Sequence, residues 1–324
     1  MKLFIRALIT LGAISLFLAI GTAHAQTWPA KPIRVIVPFP PASGTDTIAR
    51  PVLAQVAKQL GQPIVIENRP GAGGTIGMTS VAQSEPDGYT FLVHSNSFTV
   101  VPATYTKLSF DTVRDFVGVM PIAALPMALV VAPAKGYRSL ADLVTAGKAK
   151  PGAMTYASAG AGGATHLGAE RFRMAAGFEG VHVPYKGSAE ALTDVMTARV
   201  DYYFSPIGLA LPQIKAGKLA ALAVSSSNRS SGLPDVPTTL ESGLPNSDYN
   251  VWVGLMALAK TPRPIVQRLH DELVKAIQTN EVHDSFKALV AEPMIMSVDQ
   301  FDALLKSEFS MNAALVKAAG VTVN

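Results

Sequence analysis

The order of short apolar runs, small-residue loops and helical patterns restricts the fold of this chain more than any other feature. The β-branched run Ile33–Val37 predicts a buried strand, the loop 38–46 follows it, and the pattern over 47–60 predicts a helix. The same order recurs along the chain, which favours two mostly parallel sheets with helices on both faces. We therefore expect an α/β fold.

The series of strands and helices starts again near residue 128, which predicts two lobes. The chain would cross between them near 124–127 and again near 225–231. This gives a discontinuous first lobe, residues 26–124 and 226–324, and a second lobe, residues 125–225. Two lobes consecutive in sequence are the alternative, and the late helical patterns could pack on either lobe.

The first 25 residues have the pattern of a signal peptide. Lys2 and Arg6 precede an apolar run over 7–20, and Ala23-His24-Ala25 is a small-residue cleavage site. The run is shorter than the ~20 residues that a membrane span needs. We therefore expect cleavage after Ala25 and export to the periplasm, with an uncleaved anchor as the alternative.

Charge and composition exclude several classes of function. The formal net charge is +4, and Lys and Arg form no run, which argues against a nucleic-acid partner. The chain contains no cysteine, so disulfides, thiolate chemistry and lipid attachment at the cleavage site are excluded.

The loop after the first strand has the features of an anion site. Its residues are Pro40, Pro41, Ala42, Ser43, Gly44, Thr45 and Asp46. Small residues leave backbone N–H groups uncovered, and the helix behind them adds partial positive charge at its start. Asp46 is expected to cap the helix, because its negative charge would oppose an anion.

A second loop of the same kind lies in the other predicted lobe, again between a strand and a helix. Its candidate residues are Ser158, Ala159, Gly160, Ala161, Gly162, Gly163, Thr165 and His166. The glycines allow close approach of the backbone to a ligand, and neither loop matches a nucleotide-binding motif. Two such loops facing across a cleft would suit a carboxylate; tight turns without a ligand are the alternative.

Other candidates follow later strands. Ser95 could add a donor, Tyr185 and Lys186 offer an aromatic face and a cation, and Ser205 ends another strand. A packed tyrosine and a solvated lysine are the alternative for the middle pair. The histidines are isolated and form no metal or catalytic motif, so we expect no catalytic residue, no metal and no cofactor. A hydrolase that uses Ser158 or Ser43 is a further alternative.

Eight short motifs together give the chain a specific resemblance. They are WPAKPIR (28–34), VPFPP (37–41), ENRPGAGG (67–74), PDGY (86–89), YAS (156–158), HVPYKG (182–187), IKAGK (214–218) and LPDVPT (233–238). With these motifs the mature chain resembles the Bug, or TctC-like, family of periplasmic receptors for tripartite tricarboxylate transporters.

The resemblance implies a two-lobed periplasmic-binding-protein fold of type II with a hinge. It also implies carboxylate capture by backbone amides of the loops 40–46 and 158–166, with ordered waters, and delivery to a permease of one large and one small membrane subunit. A sensor that presents the carboxylate to a membrane signalling protein is the alternative. We expect a monomer.

Two departures from the family pattern bear on the ligand. Many relatives have two glycines where this chain has Ala42 and Ser43, which narrows the first pocket. Many also have Phe-Asp-Asn where this chain has Phe204-Ser205-Pro206. That aspartate can meet a ligand's ammonium group, and Ser205 cannot. A mono-, di- or tricarboxylate without an amino group is therefore expected.

Overall fold

The computed structural model describes residues 28–105, 107–318 and 320. The predicted signal peptide, residues 1–25, lies outside the described residues. Strands and helices alternate along most of the chain, so the α/β class is confirmed. Within the described ranges, no helix combines the length and the apolar character that a membrane span requires.

The elements are numbered here in chain order. The strands are β1 (Ile33–Val37), β2 (Ile64–Asn68), β3 (Thr90–Ser95), β4 (Phe116–Ala124), β5 (Met127–Val131), β6 (Met154–Ser158), β7 (Gly180–Pro184), β8 (Tyr202–Pro206), β9 (Ala220–Val224), β10 (Trp252–Leu258) and β11 (Glu292–Pro293). The helices are α1 (Gly44–Leu60), α2 (Thr75–Ala82), α3 (Val101–Thr104), α4 (Leu140–Ala149), α5 (Ala164–Ala176), α6 (Ser188–Met196), α7 (Ile207–Lys215), α8 (Arg263–Ile277), α9 (Asn280–Leu289) and α10 (Val298–Ala318).

The strands form two mixed sheets, with orders β11-β4-β10-β3-β1-β2 and β7-β6-β8-β5-β9. In the first sheet β1 is parallel to β2 and β3, whereas β10 is antiparallel to β3 and β4. In the second sheet β6 is parallel to β7 and β8, whereas β5 is antiparallel to β8 and β9. Parallel pairing is therefore confined to the strands joined by crossover helices. The first strand after each sheet-to-sheet crossing, β5 or β10, runs against both of its neighbours.

The chain passes twice between the sheets. It leaves the first sheet at the end of β4 and enters the second at β5, then returns from β9 to β10 through residues 225–251. The strand membership is the one that a discontinuous first lobe requires. The lobe boundaries at 124/125 and 225/226 stay a prediction.

The sequence patterns missed β4, a nine-residue strand in the first sheet. Gly118 and Pro121 interrupt its apolar run, and both residue types argue against a central strand. In the fold, the missing side chain of Gly118 makes room for the ring of Phe301 on α10. Pro121 pairs with Gly254 beside a register shift, where the ladder with β10 is irregular.

Each sheet is buried on both faces. Helices α1, α8 and α9 cover one face of the first sheet, and α2 and α10 cover the other. The second sheet has α4 and α5 on one face and α6 and α7 on the other. Helix α10 belongs to both halves, because Phe301 packs in the first core while Leu315 and Val316 pack in the second.

Candidate functional site

A cleft of about 600 Å³ lies where the two sheets meet, within the size range of small-molecule sites. Its polar wall comes from the first turns of helices α1, α5 and α6. Its apolar wall comes from the crossing segments and from α7 and α9. The lining residues are Ala42, Gly44, Thr47, Ile48, Leu125, Met127, Ala164, Thr165, Ser188, Pro206, Gly208, Leu209, Val251, Ala288 and Leu289.

Helix α1 begins at Gly44 with Ser43 as its N-cap. The Ser43 hydroxyl accepts from the Asp46 amide at 3.3 Å, and the Ser43 amide donates to the Pro40 carbonyl at 3.2 Å. The expectation that Asp46 caps the helix is therefore wrong. Ser43 takes that role because its extended backbone turns its hydroxyl towards the third helical amide.

Asp46 instead stabilises the loop through hydrogen bonds to its buried side chain. Its buried carboxylate accepts from the Ala42 amide at 2.9 Å, from Asn68 at 2.9 Å and from Arg50 through two bonds of 2.8 Å. Burial alone would raise the pKa of Asp46, but these hydrogen bonds outweigh it and hold the pKa below its usual value. The amide of Ala42 is thus already used.

Two amides at the start of α1 remain for a ligand. Those of Gly44 and Thr45 make no hydrogen bond to any residue that the structure describes. Gly44 lines the cleft. Such amides carry the partial positive charge of the helix start, so they can donate hydrogen bonds to a bound anion.

The glycine-rich loop uses its own side chains to hold its amides. The Ala159 amide donates to Thr165 Oγ1 at 2.9 Å, Gly160 to Ser158 Oγ at 3.2 Å, and Gly162 to His166 Nδ1 at 3.0 Å. Gly162 has a φ of +75°, the left-handed region that glycine enters without strain. These three amides are therefore not free for a ligand.

The first two amides of α5 are again available. Gly163 is the N-cap, and the amides of Ala164 and Thr165 have no hydrogen-bond partner in the described ranges. Both residues line the cleft together with Gly44. The starts of α1 and α5, one from each half of the molecule, thus share one cavity.

The remaining candidates lie outside the cleft lining. Tyr185 donates its hydroxyl to Asp194 at 2.8 Å, and burial together with this bond raises its pKa to about 12. Lys186 is exposed, Ser205 is buried and donates to the Pro206 carbonyl, and Ser95 bonds to Ser97. Ala42, Gly44 and Thr165 are the predicted residues that reach the cleft.

Sequence reasoning missed much of the cleft. Ser188 begins α6 after Gly187, and a small residue before a helical pattern was the signal that could have identified it. The apolar residues Leu125, Met127 and Val251 carry no such signal, because nothing in an apolar run distinguishes a cleft wall from a core.

Ser158 lies beside a pair of stacked imidazoles. Its hydroxyl is 2.6 Å from His182 Nε2, and the rings of His166 and His182 lie 3.7 Å apart with nearly parallel planes. Ser158 has no exposed surface, and its oxygen also accepts from the Gly160 amide. A substrate cannot reach this hydroxyl, which argues against a hydrolase that uses Ser158.

Comparison with known proteins gives a consistent result. A family model described as the tripartite tricarboxylate transporter family receptor, TctC, matches residues 48–321. Protein BugT of Bordetella pertussis is 35% identical over 316 residues, covering 96% of this chain and 97% of that protein.

Solved structures agree with this match. The protein Rpa4515 of R. palustris, solved with adipate, is 30% identical with a TM-score of 0.76 over 91% of this chain and 100% of that one. MatC of Rhodopseudomonas palustris, solved with bound malate, is 30% identical with a TM-score of 0.73 over 89% and 100%. This chain therefore belongs to the TctC family of tripartite tricarboxylate transporter receptors, which are periplasmic substrate-binding proteins and not enzymes.

Proposed function

We propose that this protein binds a small carboxylate in the cleft and delivers it to the membrane permease of a tripartite tricarboxylate-type transporter. The observation that carries the proposal is that the starts of α1 and α5 lie on one shared cavity, and that each start has two amides without a hydrogen-bond partner among the described residues. Proteins of similar sequence and fold have been solved with malate and with adipate.

Backbone donors are sufficient for useful affinity. Among the residues that the structure describes, no lysine or arginine lines the cleft. Hydrogen bonds to a charged group contribute about 1.5–3 kcal/mol each. Four of them match the ~8 kcal/mol of a micromolar complex, before the costs of ordering are subtracted.

The lining also favours a ligand class. The lining that the two helix starts share includes apolar residues such as Ile48, Leu125 and Met127, which suit a short aliphatic chain. In the described ranges no aspartate or glutamate lines the cleft, and the residue at position 205 is a buried serine, so an ammonium group would find no anionic partner there. A dicarboxylate without an amino group fits best, with one carboxylate at each helix start.

Calorimetry with the purified protein tests this proposal. We expect micromolar binding of at least one member of a series from succinate to adipate that includes malate. Binding should be lost for the dimethyl ester, which has no charge, and weakened for glutamate relative to glutarate. Failure of all mono-, di- and tricarboxylates, with tight binding of an unrelated solute, would contradict the proposal.

Delivery is tested separately from binding. Deleting the gene should abolish uptake of the radiolabelled carboxylate that calorimetry identifies, and a plasmid copy should restore it. Unchanged uptake, with loss of a transcriptional response to the same carboxylate, would favour the sensor alternative.

A further inference from the structure

The glycine-rich loop owes its shape to side chains that do not line the cleft. Of these, His166 and Ser158 are buried, and His182 lies on the neighbouring strand β7. We propose that His166 and His182 are positioning residues, whose unprotonated nitrogens fix the loop 158–163 and the start of α5, so that acidification weakens carboxylate binding. The binding part of this inference rests on the proposed function.

The hydrogen bond at His166 fixes its tautomer. The Gly162 amide donates to Nδ1 at 3.0 Å, so Nδ1 carries no hydrogen and the neutral ring is protonated at Nε2. Protonation of Nδ1 would turn an N–H towards another N–H. The Gly162 amide would lose its acceptor, and the turn that leads into α5 would have to rearrange.

His182 contacts the loop indirectly, through the hydroxyl of Ser158. The Ser158 hydroxyl can donate its single proton to His182 Nε2 at 2.6 Å and use a lone pair to accept from the Gly160 amide at 3.2 Å. This arrangement satisfies both groups only while Nε2 carries no hydrogen. The loop is therefore fixed at Gly160 through Ser158 and at Gly162 through His166.

The surroundings of the two rings disfavour protonation. His166 faces His182 from β7 and Tyr156 from β6, with Tyr202 of β8 beyond it, while Glu170 and Arg173 belong to its own helix. Glu170 is engaged by both Arg173 and Tyr156. Burial and then the neighbouring His182 lower the pKa of His166 to about 4, and burial lowers that of His182. Two charged rings stacked at 3.7 Å would also repel each other.

Asparagine is a matched replacement for His166, because its Oδ1 occupies the place of Nδ1 and accepts at every pH. His166→Leu keeps a similar volume but leaves the Gly162 amide without a partner. At pH 7.5 we expect His166→Asn to bind within about threefold of the unmodified protein. His166→Leu should weaken binding at least about tenfold, the cost of one unsatisfied buried amide.

The pH dependence separates the imidazole from the ligand. Carboxylate ligands also take up protons in acid, and they do so equally with every variant. From pH 7.5 to about pH 4, where half of the His166 rings carry a second proton, the unmodified protein should therefore lose about twofold more affinity than His166→Asn. His182→Gln, whose Oε1 replaces Nε2, should retain affinity at pH 7.5. Identical pH profiles, or full affinity in a folded His166→Leu protein, would overturn the inference.

A ligand-free measurement distinguishes this inference from the proposed function. The amide resonance of Gly162 should shift on acidification in the unmodified protein and stay constant in His166→Asn. If no carboxylate binds but this difference appears, the proposed ligand is wrong and the positioning role stands. If the Gly162 resonance behaves identically in both proteins, the positioning role is wrong.

Discussion

Glu308 is a buried carboxylate that makes no ion pair with any residue in the described part of the chain, although the charge of Arg171 is near enough to lower its pKa. It lies on α10, 7% exposed, and accepts from Trp252 Nε1 at 2.9 Å and from Thr99 Oγ1 at 3.1 Å. Burial raises the pKa of Glu308 to about 7, more than these bonds lower it. Its folded-state pKa is above the value of 4.5 for a free glutamate, so the folded protein binds an extra proton between these values.

Stability should therefore fall as the pH rises through that window. Replacement by glutamine keeps the acceptor for Trp252 and cannot ionise, so Glu308→Gln should remove this dependence. Relative to the unmodified protein, we expect the variant to gain about 3 kcal/mol in unfolding free energy between pH 5 and pH 8. Urea unfolding at both pH values measures this gain.

The exposed Glu85→Gln variant is the control for loss of one charge. A gain of the same size in Glu85→Gln, or equal slopes for Glu308→Gln and the unmodified protein, would contradict the role of burial. Nothing in the sequence around Glu308 indicates that its side chain is buried. Its partners Trp252 and Thr99 come from β10 and from the turn after β3, far away in the chain.

At the scale of elements, the starts of α1 and α5 can be tested by removing single N–H groups. Proline lacks the donor and is favoured at the first helical position, after an extended residue. Ser43 and Gly163 are both extended, so Gly44→Pro and Ala164→Pro are compatible with the backbone. Each should weaken carboxylate binding about tenfold or more, the loss of one charged hydrogen bond.

Matched variants separate the lost donor from the added bulk. Gly44→Ala keeps its N–H, and the new Cβ would lie 3.6 Å from Leu125, an ordinary contact. Ala164→Ser likewise keeps its N–H. Calorimetry should give both controls nearly unchanged affinity, with circular dichroism to verify the fold. Equal losses in the proline and control variants would show that the amides do not bind the ligand.

The sequence predicted the elements better than the contacts between them. Strand β1 has the predicted bounds, because a β-branched run followed by a loop of small residues is a local signal. Strand β4 was missed because Gly118 and Pro121 are favourable there only through tertiary packing. The sequence pointed to the loops before α1 and α5 as candidate anion sites, which stays a prediction. Which amides of the second loop are free depends on how Thr165, Ser158 and His166 fold back.

At the scale of the molecule, the two halves touch beside the cleft at the start of α7 and the end of α9. A Cβ on Gly208 would lie 2.9 Å from the Leu289 carbonyl oxygen. The next residue, Val290, has a φ of +52°, which is unfavourable for a branched side chain, and packs against the core of the second sheet. This close approach fixes the spacing of the two halves on one side of the cavity.

Gly208→Ala should therefore push the halves apart and weaken ligand binding. Overpacking against a backbone atom costs about 1–3 kcal/mol, which corresponds to about fivefold or more in affinity. Small-angle scattering with saturating ligand should show a larger radius of gyration than for the unmodified protein. Gly187→Ala is the control, because its Cβ would meet nothing within 4 Å. Unchanged affinity in Gly208→Ala would show that this contact does not set the spacing of the two halves that ligand binding requires.

The C-terminal helix has a consequence for biosynthesis. Leu315 and Val316 complete the interior of the second half, and β10, a central strand of the first sheet, comes from the last quarter of the chain. Neither half can close its interior while the nascent polypeptide is still emerging from the ribosome. Folding must wait until the segment from β10 to Val316 has been synthesised, and a chain that is still unfolded can pass through a secretion channel.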